Sequence, residues 1–329
     1  MNNNEPVVIT LYLRKNDAQS ELVLNWANEI NSQGEYKIVE IYPDSDKKGG
    51  RFEEEMPYFL AGPYQLRPPI ERGNLEIAMR SALDRHKQLL ESNNKEYIRR
   101  KERGKNYSQS DRTTLWITDH YMVIINTLLF LYVFTPFLAP IFMFMGLEPA
   151  AKAVYTVYKP LCHQFAFRSW FLFGEQPVYP LASAPLSYQI KYEDLVGHTH
   201  IEPLEARNYN GTEKYGYKVA LCERDIALWG SLLATGIIFS LTGRKWKRIP
   251  FMLWILLGVL PILLDGSSQF LNQLMPLFPA RESTPLIRTI TGILFGTLTG
   301  MMVFPLIEES MNDTRQILYR KKVVSESSS

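Results

Sequence analysis

Net charge is what this 329-residue sequence most lacks: 36 Lys and Arg stand against 34 Asp and Glu, a balance of +2. A dedicated nucleic-acid binder relying on a global basic field is thereby excluded, and no nucleic acid is expected among its partners. Cysteine is scarce as well, with two residues, so one intramolecular bridge is the most the chain can form. No apolar run lies ahead of about residue 115, so no cleavable signal peptide is visible and the first span is expected to act as an uncleaved anchor. Disorder is excluded by 46% hydrophobic and 21% charged residues. The mean hydropathy of −0.14 averages two unlike halves, the first polar and charge-dense, the second apolar.

In that second half charge disappears in stretches. Tyr121 to Leu147 gives 27 residues without a charge, and Ile226 to Gly243 gives 18. Ile249 to Ala280 gives 32 interrupted only by Asp265, and Thr289 to Ile307 gives 19. About 20 apolar residues cross a bilayer as a helix, so each stretch can span. Buried helices of a soluble core would show a polar stripe, and FMLWILLGVLPILL shows none. An all-α polytopic domain of four transmembrane helices is expected over residues 115–310.

Basic residues set the expected orientation. Seven lie between Lys95 and Arg112, four between Arg244 and Arg248, and Arg315, Arg320, Lys321 and Lys322 follow the last span. The loop 148–222 balances seven basic against seven acidic residues. The positive-inside rule places both termini in the cytoplasm and predicts a multi-pass protein of the plasma or inner membrane. A basic linker is expected at 95–114 and a cytoplasmic tail at 311–329. The sequon Asn210-Gly211-Thr212 falls in the outer loop.

Residues 1–94 read as a small α/β domain: strands over 6–14, 36–42 and 57–60, a helix around Leu22 to Ile30, and another from Asn74 to Ser92. LYLRKNDAQSEL and the later EMPYFLAG resemble the glutaredoxin and thioredoxin-like pattern. In that family a strand ending LYTR precedes Cys-x-x-Cys, and a cis-proline precedes the third strand. The resemblance puts the two cysteine positions at Asp17 and Ser20 and the proline at Pro57. Without a thiolate there is no thiol–disulfide exchange, so the domain is expected to be redox-inactive, with Asp17 as an ordinary N-cap. Docking of a cytoplasmic partner and a purely structural role are both open.

The expected topology sends the unusual polar residues of four segments to one side of the bilayer. Cys162, His163, Gln164, Arg168 and Ser169 come from LCHQFAFRSW, and Cys222 and Arg224 from CERD. Asp265 and Gln269 come from DGSSQ, and Arg281 and Arg288 from RESTPLIRTITG. An ionised side chain within a span costs on the order of 2.5–3.5 kcal/mol, so partners are expected, with Arg288 the first counter-ion for Asp265 and Arg224 or Arg168 in reserve.

These motifs together, from about Leu161 to Phe304, resemble a bacterial and archaeal family of predicted membrane proteins of unknown function. This chain adds an insertion, Gln176 to Gly216, and the N-terminal α/β domain.

Three chemistries compete for the cluster. A Cys162–Cys222 disulfide would close a loop of about 60 residues and stabilise by roughly 4 kcal/mol. The arginines could hold a phosphate or carboxylate headgroup. Cys162, His163, Cys222 and Asp265 could bind a divalent metal such as zinc. Pro136 and Pro140 are expected to kink the first span, and Gly292, Gly296 and Gly300 to mark close helix packing. Tyr155, Tyr158, Trp170 and Phe171 read as an interfacial belt, and Pro149 to Tyr158 as an interfacial helix. The reading that combines these features is an accessory or binding subunit of a membrane assembly. Its cluster binds a lipid headgroup, an anion or a protein subunit. A membrane enzyme with a metal or redox centre is the alternative, and a small transporter the third.

Overall fold

A computed structural model of the chain describes residues 6–42, 56–184, 190–274 and 282–326, and within these the side chains of all but residues 105 and 269–274. The chain divides into two units: residues up to His120 together with those from Glu308 onward, and Tyr121–Ile307.

The first unit is built on a four-stranded sheet. β1 (Val7–Tyr12) is so apolar that Ile9 and Leu11 are wholly buried. A polar turn follows, and Asp17 caps α1 (Ala18–Ile30), which buries Val23 and Ala27. β2 (Tyr36–Ile41) runs parallel to β1, with Val7 opposite Tyr36. After the cis Met56–Pro57 bond, β3 (Tyr58–Ala61) pairs antiparallel with β1, and β4 (Tyr64–Leu66) pairs antiparallel with β3. The order is β2-β1-β3-β4.

α2 (Arg72–Glu91) buries Leu75, Ala78, Met79, Ala82 and Leu83, the i, i+3, i+4, i+7, i+8 stripe of an amphipathic helix. Ile77, off that stripe, is exposed. The stripe packs with Ile9, Leu11, Val23, Ala27 and Phe59 into the main core. α3 (Lys95–Lys105) is capped by Asn94, whose side chain accepts from the Tyr97 amide at 3.0 Å.

The long helix α4 (Gln109–Phe134) begins in the first unit. In the second unit it ends in a tight turn at Thr135–Phe137, where Pro136 cannot donate to the ladder, and continues as α5 (Leu138–Phe144). α6 (Glu148–Tyr158) is the expected short helix. Its Tyr155 and Tyr158 are 3% and 4% exposed and Phe171 is 3% exposed, so these rings form core rather than an interfacial belt. Tyr158 donates to the Tyr132 carbonyl at 2.9 Å, and Tyr155 to the Lys218 carbonyl at 2.6 Å.

β5 (Ser169–Leu172), α7 (Tyr192–Val196), α8 (Pro203–Asn208), β6 (Gly211–Thr212) and β7 (Gly216–Cys222) follow. The three strands form an antiparallel sheet of order β5-β7-β6. The insertion thus supplies α7, α8 and β6, and its Tyr179, Tyr192 and Ala206 pack with Ala166, Phe167 and Phe171 into a core of their own.

β7 leads without a loop into α9 (Glu223–Leu241). α10 (Phe251–Leu253) passes through a wider turn at Trp254–Val259 into α11 (Leu260–Leu274). α12 (Pro285–Glu326) runs 42 residues, carrying helix through what was expected to be a tail. Within the first unit, Val324 of α12 packs against Tyr12, Val39, Ile41 and Tyr58, closing the sheet face opposite α2.

Among the described residues four helices are long and apolar enough to cross a membrane: Gln109–Phe144, Glu223–Leu241, Phe251–Ser268 and Pro285–Glu326. They carry exposed Leu128, Leu131, Leu263, Leu264 and Ile290, a surface suited to lipid. In the second unit α9 and α12 approach closely. A Cβ on Gly292 would lie 2.8 Å from the Arg224 carbonyl oxygen, one on Gly300 2.7 Å from Thr235, and one on Gly296 would collide with the Leu228 carbonyl. The four-residue glycine spacing therefore lets two backbones meet.

Candidate functional site

The second unit gathers the polar residues into three neighbouring arrangements. The first is an ion-pair cluster built from the segment after α6, the start of α9, α11 and the start of α12. Arg168 grips Glu282 with both ends of its fork, Nε to Oε1 at 2.7 Å and Nη2 to Oε2 at 2.9 Å. Arg288 is 2% exposed and bridges two carboxylates, Glu223 at 3.0 Å and Glu282. It also donates to the Ser283 carbonyl at 2.6 Å. Arg224 pairs with Asp265, whose Oδ2 accepts from the Ser283 hydroxyl at 3.0 Å.

Three arginines thus face three carboxylates. Each charge is withdrawn from water and needs its partner, because an uncompensated buried ion costs several kcal/mol. The first-choice pairing of Arg288 with Asp265 is corrected: Arg224, the second residue of α9, reaches Asp265, while Arg288 points to Glu223 and Glu282. Sequence reasoning gave no role to Glu223 or Glu282, although three arginines in an apolar setting demand about as many acids.

The second arrangement is a thiol pair. Cys162 and Cys222 are free cysteines, so the expected disulfide is absent. With Asp225 they offer ligand atoms all within 4.8 Å of one another. A hydrogen bond with Cys162, reinforced by burial, pushes the Cys222 thiol well above its usual range. Asp225, not His163 or Asp265, completes this donor set. His163 is exposed, lies tilted against Phe165 with ring centroids 5.5 Å apart, and lines a cavity of about 520 Å³ with Cys162 and Arg207.

The third is a buried lysine. Lys218, on β7, has no exposed surface, and its Nζ donates to the carbonyls of Gln164 at 2.9 Å and Arg207 at 2.5 Å. Burial, with Lys159 adding to it, lowers its pKa from 10.5 to about 7. Gln164, also buried, donates through Nε2 to the carbonyls of Tyr155 and Ala220 at 3.0 and 2.9 Å. Ser169 is buried and donates to the Phe165 carbonyl at 3.0 Å. Gln164 and Ser169 therefore hold backbone in place. Lys218 was missed, though a lysine alternating with Val219 and Leu221 in an apolar strand was a visible signal. Gln269 lies on α11 with its side chain outside the described residues, as is Arg281 altogether.

Residues 213–302 match the family model described as a predicted membrane protein, DUF2085. That stretch contains Lys218, the whole of α9, Asp265, Glu282 and Arg288. The chain is also 22% identical over 196 residues to the uncharacterized protein MJ1492 of Methanocaldococcus jannaschii, spanning 58% of this chain and 94% of the archaeal one. No solved structure matches. The chain thus carries a DUF2085 predicted membrane protein domain over residues 213–302 and has a distant archaeal homologue that is itself uncharacterized.

Proposed function

We propose that the chain is a binding subunit of a membrane assembly, anchored by its four spans with both termini cytoplasmic, and that its α/β unit is a thioredoxin-like module that recruits rather than exchanges disulfides. Asp17 is the observation that carries this reading. Where exchange chemistry requires a thiolate, Asp17 Oδ2 accepts from the Ser20 amide at 2.9 Å and the Ser20 hydroxyl at 2.7 Å. Those hydrogen bonds hold its carboxyl below the usual carboxylate range. Both positions are occupied in capping α1. The sheet order β2-β1-β3-β4, with α2 packed on one face, supports the thioredoxin-like assignment. Basic runs before the first span, between the second and third, and after the fourth support the orientation.

The mutual pairing of Arg168, Arg224 and Arg288 with Glu282, Asp265 and Glu223 bears on the ligand of the outer cluster. Arginines already neutralised by carboxylates favour a protein partner docking on the assembled loop over capture of a loose anion. The test is native mass spectrometry of the tagged chain extracted from its own membranes in mild detergent, with lysine cross-linking. A complex heavier than one chain, with a mass that is not a whole multiple of 38.1 kDa, is expected, with cross-links from residues 6–104 to a second polypeptide. Release as 38.1 kDa chains alone overturns the reading.

A second reading, a metal or redox centre, is favoured by the donor set of Cys162, Cys222 and Asp225. Zinc takes such ligands at roughly 2.0–2.3 Å and in catalytic sites leaves its fourth position open. Stoichiometric zinc by elemental analysis, lost in Cys162→Ser, would establish this centre; a metal-free protein with both thiols reduced would dismiss it.

A further inference from the structure

A second chamber lies far from these residues in sequence, within the first unit. We infer that it is a binding site for a phosphate-bearing anion. The cavity measures about 970 Å³, at the upper end of what small-molecule sites occupy. Among the described residues, seven Lys or Arg line it and no Asp or Glu does. They converge from four elements: Lys37 from β2, Arg85 from α2, Arg100, Lys101 and Arg103 from α3, and Arg320 and Lys321 from α12.

Four of the seven are engaged: Arg100 with Glu96 at 2.5 Å, Lys321 with Asp111 at 2.6 Å, and Lys37 and Lys101 with other groups. Among the described residues no carboxylate pairs with Arg85, Arg103 or Arg320. In the second unit Arg168, Arg224 and Arg288 are each matched by an acid from another segment. In this cavity cations from four elements are brought together, and among the described residues Arg85, Arg103 and Arg320 meet no carboxylate there. Such an arrangement repels itself unless an anion enters, so the fold gains stability from a bound counter-charge.

The lining also selects the kind of anion. Guanidinium forks match phosphate oxygens two at a time, which a single carboxylate or halide cannot exploit on several sides at once. Tyr12 and Tyr58, with ring centroids 5.8 Å apart, and Leu60, Ile317 and Val324 add an aromatic and apolar wall. A phosphate group carried on a less polar body fits this combination. Two sources share that chemistry, a soluble phosphorylated compound and the headgroup of an anionic phospholipid. The inference stands apart from the recruiting role, since a chain without partners could still bind such an anion.

The test uses the full chain in discs of phosphatidylcholine, with inorganic pyrophosphate as probe, read by calorimetry and by the melting midpoint. Pyrophosphate is expected to bind, to raise the midpoint, and to weaken as salt rises. Arg85→Gln and Arg320→Gln should each weaken binding about tenfold, the loss of one charge-assisted contact. Arg85 is exposed, so its variant remains informative if Arg320→Gln fails to fold. If pyrophosphate is without effect, discs containing phosphatidylglycerol supply the second arm. One anionic lipid retained in native mass spectra, and lost in the same variants, then supports the headgroup source. Binding of neither probe, or binding unchanged in both variants, overturns the inference.

Discussion

Arg288 on α12 and Glu223 on α9 stand 65 residues apart in sequence, yet their side chains meet at 3.0 Å with 2% and 1% of their surface exposed. Neither could be buried without the other. Arg288→Met should therefore cost about 3–5 kcal/mol, because it strands Glu223 and half-strands Glu282. Arg288→Met combined with Glu223→Leu should recover part of that loss. Melting midpoints in detergent arranged as a double-mutant cycle give the coupling; strictly additive losses would mean the contact carries none.

Lys218 gives the segment between the first two spans a pH dependence. Its folded pKa is lowered to about 7, whereas the unfolded chain keeps the proton up to the ordinary 10.5. Between those values the unfolded state binds more protons, so stability rises with pH by about 1.4 kcal/mol per unit. Below pH 7 both states are protonated and the contribution is flat. Melting curves between pH 6 and about 10 should show this rise. Lys218→Met should remove it, and an unchanged slope in that variant would assign the effect elsewhere.

The two cysteines should both be countable. Intact mass after alkylation of the denatured, unreduced protein is expected to show two adducts, since both thiols are free. In the folded protein Cys222 should label slowly at neutral pH and faster in alkali, because its thiol is held protonated. No adducts at all would mean an oxidised bridge.

The glycine seam gives a packing test with an internal control. Gly296→Ala pushes a methyl into the Leu228 carbonyl and should destabilise by roughly 1–3 kcal/mol. Gly230→Ala, on α9 with nothing within 4 Å of its new methyl, should be neutral or slightly stabilising. Equal midpoints for the two variants would rule out close approach at this seam.

What the sequence disclosed and what it withheld divide along a physical line. Uncharged runs were legible because solvent sets them residue by residue, and the four apolar helices follow them closely. The β1–α1–β2 stretch was legible for the same reason, through alternation and a capping aspartate. β4 escaped notice because three residues after a tight turn have no periodicity to read. The partner of Asp265 escaped because pairing depends on how far each helix is rotated about its axis. The disulfide was inferred from an expected compartment and cysteine count, neither of which fixes how two side chains lie.

One junction carries a consequence of its own. Cys222 closes β7 and at the same time caps α9, so strand passes into helix with no spacer residue. Chain length there acts like the teeth of a gear. One added residue between Leu221 and Glu223 would turn everything beyond it by about 100° around the helix axis. Arg224 would swing off Asp265, Glu223 off Arg288, and the face that admits Gly296 would turn aside. The loop 148–222 can vary in length elsewhere, but at this one step the spacing is a setting for the whole cluster.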